Sequence, residues 1–126
     1  MEIKSRFYHY NINVMDLEKS IIFYGKALGL FEKRRREAAD GSFILVFLGD
    51  TYTDFLLELT WLRDRKEPYN LGDNETHLCL RVDGDYDVTR EYHREMGCIC
   101  YENKDMGLYF IEDPDGYWIE VLKAQG

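Results

Sequence analysis

Four residues of this chain could do chemistry together: His9, Glu58, His77 and Glu120. The two histidines open a phrase written twice, HYNINV from His9 to Val14 and HLCLRV from His77 to Val82. Each reads His, two residues, an aliphatic, one residue, Val. His77 follows His9 by 68 positions (77 − 9), and the same step carries Phe23-Tyr24 onto Glu91-Tyr92 and Leu28-Gly29 onto Met96-Gly97. The glutamates lie in a second echo, LLELT (Leu56 to Thr60) and WIEVL (Trp118 to Leu122). There the step is 62 (120 − 58), so a connection in the second half is six residues shorter. Matches in the same order imply an internal duplication. Imidazole nitrogens and carboxylate oxygens together suit nickel, cobalt, zinc, ferrous iron and manganese. Four protein ligands on a six-coordinate ion leave two positions open. Substrate oxygens can bind there, with the metal as Lewis acid.

The elements that must position these residues can be read from periodicity. His9 to Val14 alternates, with Tyr10, Ile12 and Val14 on one face and His9, Asn11 and Asn13 on the other. That is a half-buried strand, and His77 to Val82 repeats it. Asp16 can cap a helix whose stripe is Leu17, Ile21, Tyr24 and Leu28 and whose stop is Gly29. A second helix carries the stripe Val88, Tyr92 and Met96, ends at Gly97, and leaves His93 exposed beside the stripe. Strands follow over roughly 30–36, 43–49 and 55–61, and again over 98–102, 108–112 and 117–122. Asp113-Pro114-Asp115-Gly116 composes a type I turn. The result is two βαβββ modules, about 1–61 and 75–126, joined by a linker of about 62–74 within a single domain of 126 residues. Helices on the Ile12/Val14 and Leu78/Val82 faces leave both histidines on the opposite, concave face. Glu58 and Glu120 sit in the middle of apolar strands, where a lone carboxylate is costly unless paired or bound to a cation.

Composition limits the partners. The formal charge of −8 opposes nucleic acid and anionic membranes, which need a basic face. No apolar run reaches the length of a membrane span or a signal peptide, so the expectation is cytoplasmic. Three cysteines, Cys79, Cys98 and Cys100, do not suggest a disulfide framework. Cys98 and Cys100 are too close for usual zinc spacing and read as small, partly buried strand residues. Lys33-Arg34-Arg35-Arg36 reads as a solvated edge strand. The aromatics Phe7, Tyr8, Tyr10, Phe43, Phe47, Tyr109 and Trp118 read as apolar walls or core, with Trp118 on the strand face of Glu120.

Longer stretches carry a resemblance over nearly the whole chain. They are VMDLEKSIIFYGKALGL after His9, LLELT with Glu58, YNLG (Tyr69 to Gly72) before His77, and EDPDGYWIEVL around Glu120. In these the chain resembles the glyoxalase I (lactoylglutathione lyase) family of the vicinal oxygen chelate superfamily. The resemblance implies an α+β fold, two βαβββ modules forming an open curved sheet. It implies one divalent metal on His9, Glu58, His77 and Glu120. The first-ligand His and the short chain resemble forms that favour nickel or cobalt, with zinc as the alternative. The implied reaction isomerises the hemithioacetal of methylglyoxal and a thiol to an S-lactoyl thioester by enediolate proton transfer. Glu120 is the base for one stereoisomer and Glu58 has the mirrored role. A homodimer with sites at its interface is implied, although modules of one chain can also pair.

The chain departs from the family at the residues that hold glutathione. Asn13 stands where a basic residue is usual, Leu62 where Asn is frequent with Arg63 next to it, and Asp73 where some members have Arg. Arg81, on the strand face of His77, is either a replacement anchor or a surface arginine paired with a carboxylate. Alternatives in the same superfamily are an epimerase, a thiol transferase or a dioxygenase acting on a substrate without glutathione. A non-enzymatic binder is a third class, and such members lack the ligand set.

Overall fold

The structure, a computed structural model, describes residues 1–124. The chain divides into two compact units, Met1–Tyr69 and Asn70–Gly126, with the boundary inside the segment read as a linker. Both units follow the βαβββ plan expected from the repeat. Unit one holds β1 (His9–Asn13), α1 (Leu17–Leu28), β2 (Phe31–Glu37), β3 (Phe43–Gly49) and β4 (Leu56–Leu62). Unit two holds β5 (Leu78–Val82), α2 (Tyr86–Met96), β6 (Ile99–Asn103), β7 (Leu108–Glu112) and β8 (Trp118–Lys123). Each unit makes its own four-stranded sheet, in the orders β1-β4-β3-β2 and β5-β8-β7-β6. In both, the first strand lies parallel to the last, and the other pairings are antiparallel.

Local chemistry explains the boundaries. The Asp16 carboxylate accepts from the Lys19 N–H to start α1, and Gly29 ends it at φ 68. Asp85 and Gly97 do the same for α2. The Asp113 carboxylate accepts from the N–H groups of Asp115 and Tyr117, each at 2.9 Å, and so folds the turn into β8. Gly116 takes a positive φ of 93° there, which a side chain would disfavour. Strand β2 is the edge of its sheet and is exposed throughout, as its run of basic residues predicts.

The core of each unit is the sheet face under its helix. In unit one it is built from Ile12, Val14, Tyr24, Val46, Leu48, Leu57 and Leu59. In unit two it is Tyr109, Ile111, Ile119 and Val121. One expectation fails here: His93 is fully buried, not exposed. It bonds the Tyr109 hydroxyl at 2.7 Å. The expected stripe residues Val88 and Tyr92 face solvent instead. The reason is a one-residue change in the connection. Seven positions separate His9 from its cap Asp16, but eight separate His77 from Asp85. Counted from the caps, the partner of Tyr24 is therefore His93 and not Tyr92. Tyr109, read as wall or core, belongs to this core, turned inward with Ile111 by the alternation of β7.

Burial leaves an alkaline signature. The Cys100 thiol is pushed up to about 11, first by burial and then by the Glu112 charge. The buried Tyr109 hydroxyl is pushed above the usual phenol range, again by burial first. Both groups stay neutral in the folded chain after an unfolded thiol, near 8.5, has begun to ionise. Their stabilising effect is complete below that value and declines as pH rises toward 11. The urea midpoint is expected to fall between about pH 8 and about pH 10.5, and Cys100→Ala to flatten part of that fall. A midpoint whose pH slope is unchanged by the substitution refutes the Cys100 part.

Candidate active site

The strands place one His and one Glu on the sheet face away from each helix. In unit one, Asn11 pairs with Glu58 across the parallel β1–β4 ladder, so His9, Asn11 and Glu58 share a face. The His9 Nε2 lies 3.6 Å from Glu58 Oε1. In unit two, Cys79 pairs with Glu120 across β5–β8, and His77 stands one residue before the strand. The His77 Nε2 lies 3.1 Å from Glu120 Oε1, and its Nδ1 is 3.4 Å from the Glu75 carbonyl. Both glutamates are largely covered, at 14% and 17% side-chain exposure, while the histidines keep 34% and 36%. So the carboxylates are held and the imidazoles remain reachable.

Each imidazole is also braced by a phenylalanine. Phe47 meets His9 edge-on at 5.8 Å, and Phe110 meets His77 edge-on at 4.9 Å. Phe47 pairs in register with Glu58, and Phe110 with Glu120. The repeated unit is thus His, Phe and Glu, not His and Glu alone. Sequence reading counted Phe47 as wall or core and missed Phe110. Alternation in β7, which sends Tyr109 and Ile111 inward, is the signal that could have found it.

Donor spacing gives a direct test of whether a cation fits. Two donors each about 2.1 Å from one ion, at a right angle, stand about 3.0 Å apart. Both His–Glu pairs lie near that spacing, and neutral imidazole with carboxylate is a suitable donor pair for such ions. Among the described residues no group of three or more His, Cys, Asp or Glu is gathered, and each unit presents one His–Glu donor pair. Cys79 lies beside Glu120, and its thiol is held above its ordinary value by burial and by the Glu120 carboxylate.

The remaining expected site residues are placed as follows. Asn13 accepts at Oδ1 from the Asn11 amide at 2.9 Å. Leu62 closes β4 and is partly exposed. Arg63 donates to Asp64 and to the Asp40 carbonyl. Arg81 donates to the Lys123 carbonyl at 2.9 Å, and among the described residues it pairs with no carboxylate. Trp118 begins β8, stacks on Tyr101 at 6.3 Å, and packs against Phe110. With Phe110, His77, Asp73, Asn74 and Glu75 it lines a cavity of about 490 Å³.

The sequence profile of the Glyoxalase/Bleomycin resistance protein/Dioxygenase superfamily matches residues 6–121. The chain belongs to this superfamily. Its relatives within it include a lactoylglutathione lyase of Neisseria meningitidis serogroup A, 36% identical over 95% of this chain and 91% of that one. A probable lactoylglutathione lyase of Synechocystis is 33% identical over 92% and 93%. The solved glyoxalase I of Leishmania major, described as trypanothione-dependent, is 32% identical with a TM-score of 0.83. That match covers 95% of this chain and 87% of that one. These relations support a lyase-like glyoxalase I enzyme acting on a small molecule, and the two βαβββ modules are the superfamily's fold. Among the described residues no helix is long and apolar enough to cross a membrane.

Proposed function

We propose that the chain isomerises the hemithioacetal of methylglyoxal and a thiol to an S-lactoyl thioester. The observation that carries this is the pair of His–Glu contacts at repeat-equivalent positions, each aimed away from the core. The names of the relatives point to the same chemistry.

The donor set fits one divalent metal, with nickel or cobalt favoured and zinc as the alternative. His9, Glu58, His77 and Glu120 are the residues that would hold it, drawn from one chain or from two chains of a homodimer. When bound, such a cation supplies a Lewis acid that acidifies the C–H between the two substrate oxygens. The protein's own residues do the rest. Glu120 takes that proton, leaving an enediolate, and returns it to the neighbouring carbon. Glu58 serves the opposite stereoisomer in the same way. Phe110 and Phe47 keep each imidazole turned toward its glutamate. His77 holds Glu120 Oε1 at 3.1 Å, so the carboxylate needs little rearrangement before it acts.

The unlike names of the relatives leave the thiol as the variable part of the reaction. The test is thioester formation from methylglyoxal and glutathione, with protein loaded in turn with nickel, cobalt and zinc. Turnover is expected, fastest with nickel or cobalt. Metal bound without turnover defeats the assignment of glutathione. No metal taken up at all defeats the metal-dependent reading and favours a non-enzymatic binder.

A further inference from the structure

The two histidines are not held in the same way. At His77 the far ring nitrogen, Nδ1, faces the Glu75 carbonyl at 3.4 Å, while among the described residues His9 Nδ1 has no such partner. An imidazole that ligates a metal is ordinarily oriented by a hydrogen bond at its other nitrogen. His9 is flanked instead by two rings, Tyr8 at 5.2 Å and Phe47 at 5.8 Å. Arg34 joins those rings. Its guanidinium carbon lies 4.0 Å from the centroid of Phe47, and its Nη2 donates to the Tyr8 hydroxyl at 2.9 Å. The Leu56 N–H donates to the Tyr8 carbonyl at 3.0 Å, so the Tyr8 backbone is fixed as well.

Strand geometry puts Arg34 there. Arg34, Phe47, Glu58 and Asn11 form one row across β2, β3, β4 and β1. Residues paired in this way share a face of the sheet. A register shift between Glu32 and Arg34 precedes the row, and such bulges re-aim side chains. Unit two has the same shift, between Ile99 and Tyr101, and the same row, Tyr101, Phe110, Glu120 and Cys79. Tyr101 thus stands where unit one has Arg34, and it stacks on Trp118. By charge alone, a cation near a metal site is unfavourable. Among the described residues Arg34 forms no ion pair that would offset its charge. A planar fork that stacks on one ring while bonding another is a property that Arg has and Lys lacks.

We infer that Arg34 is a positioning residue, clamping Tyr8 and Phe47 about the imidazole and so fixing His9 for metal binding, in place of the backbone contact that His77 has. This rests on the reading of His9 as a metal ligand and deepens it.

The test measures nickel affinity by competition with a chromophoric chelator. Arg34→Met is expected to raise Kd about tenfold or more, the usual cost of losing the outer support of a ligand. Charge alone gives the opposite sign, since removing a nearby cation favours binding of another. Arg34→Lys keeps the charge without the fork, and should follow Arg34→Met and not the parent. Tyr8→Phe should weaken binding in the same direction and add nothing to Arg34→Met, because both break one contact. The ring C–H resonances of His9, assigned by their loss in His9→Gln, give a readout that needs no metal. They are recorded on the full chain after chelation at about pH 8, where imidazoles are ordinarily neutral. The flanking rings displace these resonances from free-imidazole positions. Arg34→Met should return them at least halfway, with the signals of His77 and His93 unmoved. A Kd unchanged or lowered in Arg34→Met, parent affinity in Arg34→Lys, additive losses with Tyr8→Phe, or unmoved His9 signals overturn the inference. If the parent takes up no nickel, the metal reading fails by itself. The His9 signals then decide the clamp alone: their return supports it, and their constancy overturns it.

Discussion

Glu120→Gln is expected to lower kcat by about a thousandfold while leaving a folded protein that still binds metal. A positioned general base contributes about 10² to 10⁴ in rate, and this change removes the proton acceptor while keeping the side chain's shape. The amide oxygen can still face His77 Nε2, now 3.1 Å from the carboxylate, so the local packing survives. Glu120 also shares its strand face with Trp118 and lies opposite Phe110, both walls of the cavity beside His77. Glu58 sits by a looser pair, 3.6 Å from His9. Glu58→Gln is therefore expected to cost less than Glu120→Gln for the preferred stereoisomer. Turnover and metal content are measured on the same preparations. Metal retained with kcat within tenfold of the parent removes Glu120 from the role of base.

Loss of a single histidine is expected to abolish the stabilisation that metal confers. A ligand that binds only the folded chain, at about a hundredfold its Kd, adds about 2.7 kcal/mol to stability. Nickel at that level should raise the Tm of the parent protein measurably, and chelation should reverse the rise. His77→Ala removes one of four donors, and His9→Ala removes its repeat partner. Each should flatten the Tm response to nickel and lower the bound metal per chain. The two histidines come from different units, so loss of the whole response from either single substitution is the result that requires a shared ion, whereas half lost from each points to separate ions. A full response in either variant excludes that histidine as a ligand.

Much of this was legible without coordinates, because strand alternation and helix caps are local. HYNINV and HLCLRV each place a His opposite a row of aliphatics, and a period of two leaves no other face for it. Asp16 and Gly29 bound α1 as read, since a cap and a left-handed stop need only their own neighbours. The pairing of His9 with Glu58, and of His77 with Glu120, follows from first and last strands lying parallel in each unit.

What escaped the sequence was set by one residue or by distant partners. A single added position before Asp85 turned α2, buried His93 on Tyr109 and sent Tyr92 to solvent. Repeat matching had carried a step of 68 through that helix, and a helix turns about 100° for each added residue. Arg63 and Arg81 stood among the candidate substrate contacts, Arg81 with a surface ion pair as its alternative. Their partners, the Asp40 and Lys123 carbonyls, are 23 and 42 positions away in the chain. Asp73 stood out only as a departure from the family, and Glu75 was not singled out. They line a cavity because Asn74 is tied to Gly116, 42 positions on, an attachment that exists only once β8 has folded back. Residue types and spacing determined which side chains share a face. Only the tertiary structure decided which of them are already satisfied and which are left for a ligand, because hydrogen-bond partners are chosen in space.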